Sequence, residues 1–111
     1  MYLIFNEALK YDTVNEIISM TSYDTVYTDK NGSEKTLSVK NTNQYLAGNV
    51  AAPDRVTVIG GKTGTTSAAG NCLILLARDT SGNPYIAVIL KSAERGILYT
   101  EMNALLKQAT S

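Results

Sequence analysis

Two apolar runs near the C-terminal end leave this chain little freedom in what it can build. Cys72-Leu-Ile-Leu-Leu-Ala77 and Ile86-Ala-Val-Ile-Leu90 are each the length of a strand. Between them Asp79-Thr-Ser-Gly-Asn-Pro84 is dense in turn-forming residues, so the pair predicts an antiparallel hairpin. Neither run alternates polar with apolar residues. The hairpin is therefore expected to be packed on both faces, with helices covering it. One cover follows directly: Gly96 to Ala109 places Leu98, Met102, Leu105 and Ala109 on one helical stripe, with Ile97 and Leu106 beside it.

The N-terminal half changes period partway. Leu3, Ile4, Ala8 and Leu9, then Val14, Ile17 and Ile18, have helical spacing, and a break is expected near Tyr11, with Asp12 capping the second helix. From Ser22 the period becomes two: Tyr23, Thr25 and Tyr27 alternate with Asp24 and Val26 in residues that favour strands. Asp29-Lys-Asn-Gly32 supplies a turn, and Leu37 and Val39 fall on one face of a returning strand. A polar segment from Asn41 to Asp54 reads as an irregular connection, after which Val56-Thr-Val-Ile59 feeds into Gly60-Gly-Lys-Thr-Gly64. The expected fold class is α+β, an antiparallel sheet flanked by N-terminal and C-terminal helices, in a single domain over residues 1–111.

Composition removes several function classes. Ten Lys+Arg balance ten Asp+Glu, which excludes the basic excess of a nucleic-acid binder. With no histidine, Ser-His and Cys-His nucleophilic pairs and His-ligated zinc are impossible within the chain. A single cysteine, Cys72, rules out an intramolecular disulfide and reads as a buried small hydrophobe in its apolar strand. No metal or cofactor is expected. No apolar run approaches the roughly 20 residues that span a bilayer, and the opening Met1-Tyr-Leu-Ile-Phe-Asn-Glu7 lacks the features of a signal peptide.

Gly60-Gly-Lys-Thr-Gly64 admits three readings. A phosphate loop needs a glycine at the position of Val56 and a helix directly after the lysine, and Thr65-Thr-Ser-Ala-Ala-Gly70 is poor in helix formers. The glycines can instead mark a close backbone approach, with Lys62 merely solvated. The third reading is a Lys-Thr-Gly strand beside an acyl-transfer site. There Lys62 sets a positive potential that attracts a carboxylate and helps manage protons on a serine, and the Thr63 hydroxyl donates to that carboxylate. Gly64 leaves room for a substrate backbone, and the Thr65 N–H faces a developing oxyanion.

The wider context favours the third reading. Lys62-Thr-Gly-Thr-Thr-Ser-Ala-Ala-Gly-Asn-Cys-Leu73, the hairpin with Ile86-Ala-Val-Ile-Leu90 and the terminal helix resemble the C-terminal part of serine-type D-alanyl-D-alanine carboxypeptidases, the low-molecular-mass penicillin-binding proteins. Val39-Lys-Asn-Thr-Asn-Gln-Tyr-Leu46 is similar to the segment before that strand, and Ala8 to Ile18 to the helix that precedes it. The resemblance implies a partial penicillin-binding-protein/β-lactamase-like transpeptidase fold. It also implies an acyl-enzyme acting on the D-Ala-D-Ala end of peptidoglycan stem peptides, with β-lactams as mimics and an extracytoplasmic parent. By the same resemblance Lys62 and Thr65 are catalytic, and Thr63, Gly64 and Thr65 bind substrate.

The departures matter equally. None of the eight serines is followed by lysine three positions on, so the family's Ser-x-x-Lys nucleophile motif is absent. The one Ser-x-Asn, Ser81-Gly-Asn83, lies downstream of Lys-Thr-Gly in turn sequence. Gly61 replaces a usually apolar residue and is expected to loosen the strand's packing. Arg95, just after the last strand, admits approach to a substrate carboxylate but reads first as a solvated arginine at a helix start, and neither Asp12/Glu16 nor Glu94/Glu101 reads as a general acid/base pair. The expectation is a C-terminal piece of a longer enzyme, inactive alone and prone to self-association through a face stripped of its helices. The alternative is a binding or assembly module on the same fold.

Overall fold

The apolar run from Cys72 forms the middle strand of a three-stranded antiparallel sheet. In the computed structural model, which describes residues 1–110, β3 (Thr57–Thr66), β4 (Gly70–Arg78) and β5 (Pro84–Ser92) pair in that order. β4, apolar from Cys72 to Ala77, is thus the strand with two neighbours, and β3, which carries Lys-Thr-Gly, is left as an edge. Leu73, Leu75 and Ala77 of β4 and Ala87 of β5 point to one face. There they meet Leu98, Tyr99, Met102 and Leu106 of α3 (Arg95–Thr110) in the main core.

This helix buries a different stripe from the one its sequence suggests. Leu98, Met102 and Leu106 recur every four residues and are buried with Tyr99, whereas Leu105 and Ile97 are exposed at 37% and 44%. Residues three apart drift the opposite way round a 3.6-residue helix from residues four apart, and the sheet selects the row of fours. Tyr99 stays because its hydroxyl accepts from the Gln44 backbone N–H at 3.1 Å and its ring meets that of Tyr45 edge-on at 5.3 Å.

The N-terminal residues form α1 (Tyr2–Ala8) and α2 (Asp12–Ile18), so the break falls near Tyr11. Tyr11, not Asp12, is the N-cap residue, and no side chain caps the helix; Asp12 lies in its first turn. The break is stitched instead by Asn15, whose Nδ2 donates to the Leu9 carbonyl at 2.7 Å and the Tyr11 carbonyl at 3.1 Å. α1 packs against β5 and α2 against β3. Consecutive residues of a strand face opposite sides. A Cβ on Gly60 would lie 2.7 Å from the Ile18 carbonyl oxygen, and one on Gly61 2.1 Å from that of Ile74 and 2.9 Å from Leu75 Cδ2. The glycine pair therefore lets α2 and β4 approach β3 closely, beside a register shift at Val58/Gly60. Gly61 thus permits a close approach of β4 and does not loosen the strand.

β1 (Ser22–Thr28) and β2 (Glu34–Lys40) form a separate two-stranded sheet instead of joining the other three strands. Asp29 closes its turn by accepting from the backbone N–H groups of Asn31 and Ser33. Asp79 does the same for the β4–β5 turn: its Oδ1 accepts from the Ser81 and Asn83 backbones and its Oδ2 from the Asn83 side chain. Ser81 and Asn83 are therefore turn residues. Two-sided packing of β4–β5 is only partly achieved, because Ile74 is buried opposite α3 while Leu90 is 58% exposed.

Candidate functional site

The edge position of β3 decides what Lys62 to Thr65 can do. An edge strand keeps one row of backbone N–H and C=O groups free for an added strand. β3 runs directly into the β3–β4 hairpin at Thr66–Gly70, with no helix after Lys62, so the amide cluster of a phosphate loop is never built. Residues two apart along a strand aim their backbone groups at the same side. Lys62 Nζ donates to the Thr63 carbonyl, which brings the ammonium to the strand's own backbone beside Thr65.

Beside this edge lies a cleft of about 770 Å³. Lys62, Thr63, Gly64 and Thr65 form its β3 wall. Thr42 and Gln44 of the connection after β2, Cys72, and Arg95, Gly96, Leu98 and Tyr99 of α3 complete most of the lining. Two cations and no carboxylate line it. Lys62 and Arg95 are exposed and have no acidic partner among the described residues, where the ion pair is Lys10–Glu7. Two unpaired like charges facing one space attract an anion. Arg95 is thus a solvated helix-start arginine and also a cleft residue.

The walls are held by short-range chemistry. The Ser92 hydroxyl donates to Glu101 Oε1 at 2.7 Å, which ties the end of β5 to the second turn of α3. The Thr65 hydroxyl donates to Asn71 Oδ1 at 3.3 Å, tying that side chain to the neighbouring strand. Cys72 is half-buried at the cleft rather than enclosed in the core, with Sγ 3.4 Å from the Ala69 carbonyl. Tyr45 braces the back: its hydroxyl donates to Asn103 Oδ1 at 2.7 Å, and burial beside Tyr99 pushes its pKa up to about 12.

The segment from Asn41 to Tyr45 is more ordered than an irregular connection suggests. Asn41 Nδ2 donates to the Met20 carbonyl at 2.7 Å, and Asn41 Oδ1 accepts from the Asn43 N–H at 2.9 Å. Asn43, fully buried, accepts from the Tyr45 N–H at 3.1 Å. Between them Thr42 Oγ1 lies 2.5 Å from Thr63 Oγ1. Sequence reasoning passed over Thr42 and Gln44; the flanking asparagines, each able to bond backbone groups nearby, were the available signal. On the other side of Lys62 a second cleft of about 640 Å³, more apolar, runs between α2 and the base of the β1–β2 hairpin.

No helix among the described residues is long and apolar enough to cross a membrane, and no cluster of metal-ligating side chains is present among them. No curated protein sequence matches the chain. Among solved structures, a DD-transpeptidase of Streptomyces carrying an arginine-to-leucine mutation superposes with a TM-score of 0.75 at 26% identity, over 89% of this chain and 36% of that one. A lysine-to-histidine mutant of that transpeptidase gives 0.74 at 25% identity, with the same coverage. A D-alanyl-D-alanine carboxypeptidase from Mycobacterium tuberculosis shares the fold, with a TM-score of 0.67 at 19% identity over 94% of this chain and 36% of that one. The chain therefore spans about a third of the length of the solved structures it resembles. The family profile of D-alanyl-D-alanine carboxypeptidases matches residues 2–94, taking in both helices before the hairpins, the asparagine-framed Thr42 and the whole Lys-Thr-Gly edge. The chain belongs to the D-alanyl-D-alanine carboxypeptidase family.

Proposed function

We propose that this chain forms the Lys-Thr-Gly wall of the acyl-transfer site of a serine DD-peptidase that cleaves the D-Ala-D-Ala end of peptidoglycan stem peptides. One observation carries the reading: the motif lies on a free strand edge, facing a cleft lined by two unpaired cations and no carboxylate. A peptide docks along such an edge as an added strand, and main-chain hydrogen bonds set its register. Its terminal carboxylate is drawn toward Lys62 and Arg95 and accepts from the Thr63 hydroxyl. Gly64 has open space where a Cβ would stand, so the substrate backbone passes without a clash. The Thr65 N–H then serves as an oxyanion donor, a role worth about 2.7–4 kcal/mol of barrier in other acyl-transfer enzymes.

Chemistry also requires a serine, its base and a second oxyanion donor within hydrogen-bond reach. No Ser-x-x-Lys exists in these 111 residues, so those groups come from sequence outside them. In the complete enzyme the serine hydroxyl attacks the penultimate D-Ala carbonyl, terminal D-Ala leaves, and water or an amine resolves the acyl-serine. β-Lactams occupy the same cleft as dipeptide mimics, and the parent works on the cell-wall side of the membrane. The chain as given is also expected to self-associate through exposed apolar residues of its N-terminal half, among them Leu3, Ile4 and Ile17 at 77%, 70% and 59%.

The reading is tested with the chain itself. Amide chemical shifts are followed while a short peptide ending in D-Ala-D-Ala is added. Perturbations should gather at Lys62 to Thr65, Thr42 and Arg95, and amidation of the peptide's C-terminus should abolish them. No D-Ala should be released and no fluorescent penicillin attached. Covalent labelling of a mapped serine, or perturbations that ignore the carboxylate, contradicts the reading.

A further inference from the structure

Lys62 and Thr42 are the two residues that line both clefts, and Thr42 has no part in the motif. Its neighbours and its carbonyl are held: Asn41 and Asn43 are anchored as described, and Gln44 Nε2 donates to the Thr42 carbonyl at 3.1 Å. The hydroxyl so mounted sits 2.5 Å from the Thr63 hydroxyl, either being able to donate. We propose that Thr42 is a positioning residue that aims the Thr63 hydroxyl proton at an incoming carboxylate. The proposal rests on the reading of Thr63 as a carboxylate contact.

The argument is one of donor bookkeeping. An ionised carboxylate only accepts, and a hydroxyl has one proton and two lone pairs. Once Thr63 gives its proton to the carboxylate, the hydrogen bond to Thr42 can persist only if Thr42 donates. The result is a directed chain from Thr42 Oγ1–H to Thr63 Oγ1–H to the carboxylate, in which each bond polarises the next. Thr42 needs no rearrangement to play this part, because its frame fixes it before ligand arrives. No bond forms or breaks and no proton changes owner. A carboxamide terminus offers one acceptor in place of two and adds a donor, so the chain of hydroxyls favours the free acid.

Thr42→Val keeps the shape of the side chain and removes its hydroxyl, and Thr42→Ser keeps the hydroxyl. Thr42 is exposed, so neither change threatens folding. Three-bond couplings report the Thr63 side-chain rotamer in the free chain. A titration then compares a peptide ending in D-Ala-D-Ala with its C-terminal amide. Thr42→Val is expected to set Thr63 averaging among rotamers and to weaken acid-peptide binding roughly fivefold to tenfold, with the amide peptide leaving the cleft unperturbed in wild type and variant alike; Thr42→Ser restores both. A single Thr63 rotamer in Thr42→Val, or wild-type affinity for the acid peptide, overturns the proposal. If the wild-type chain responds to neither peptide, the reading of the cleft falls and the proposal with it. The coupling measurement needs no peptide and so tells the two failures apart.

Discussion

The sheet β3–β4–β5 and the hairpin β1–β2 are built from strands of similar character, yet they are stabilised very differently. In the first, Leu73 and Leu75 are at most 1% exposed, against an equally buried Met102 of α3. In the second, Tyr23, Val26, Tyr27, Leu37 and Val39 are 45–60% exposed. Both have good strand residues and a turn closed by an aspartate. The difference is α3, which covers one and not the other. Strand propensity and turn chemistry thus suffice to shape a hairpin, whereas burial of an apolar face holds one in place. The cleft sits beside the buried region: its cations are carried by α3, whose side chains help form the core, and by β3, which pairs with β4.

The sharpest way to break this comparison is to delete matched apolar groups. Met102→Ala should destabilise the chain by about 2–5 kcal/mol in urea unfolding, while Leu37→Ala should stay within about 0.5 kcal/mol. Equal losses would mean that the hairpin is buried in solution. Gly61→Ala should cost about 1–3 kcal/mol by forcing β3 away from the Ile74 carbonyl, whereas Gly82→Ala should suffer only from its positive φ, since nothing lies near its Cβ. Alkaline titration probes the brace behind the cleft. The Tyr45 pKa is raised to about 12 by burial and Tyr99, so the unfolded chain loses this proton first. Stability is full below pH 10 and falls as pH rises toward 12; Tyr45→Phe should flatten that fall.

The smallest expected effect comes from Asp79, whose hydrogen bonds from Asn83 hold its carboxyl below the usual range. The unfolded chain then binds the proton more readily. The turn's contribution is present above the ordinary carboxylate pKa and is lost as pH falls through the lowered value. Thermal melts of Asp79→Asn should show a slightly weaker acid dependence than wild type.

How legible the molecule was in sequence follows the same division. The β4–β5 hairpin was readable because unbroken apolar runs and a dense turn leave few alternatives, and the helix break at Tyr11 showed in the spacing. The Lys-Thr-Gly edge was readable through its flanks. The buried stripe of α3 was not, since Leu105 and Leu106 are equally apolar and only the opposing sheet chooses between them. Nor was the isolation of β1–β2, because alternation describes a strand and not its neighbours. Close packing at Gly61 is not legible either, because in sequence a missing side chain reads as slack, while in the fold the strand opposite fills the space. Thr42 stayed hidden because its importance lies in the asparagine bonds that mount it and in one hydroxyl contact across 21 residues.

The central claim is that the outer edge of β3 receives a carboxylate-terminated peptide. A crystal structure of the chain with a short D-Ala-D-Ala peptide tests it most directly. The account predicts an extended peptide beside Lys62 to Thr65, its terminal carboxylate within hydrogen-bond distance of the Thr63 hydroxyl and facing Arg95. A peptide seated in the apolar cleft between α2 and the β1–β2 hairpin, with its carboxylate in solvent, would contradict it.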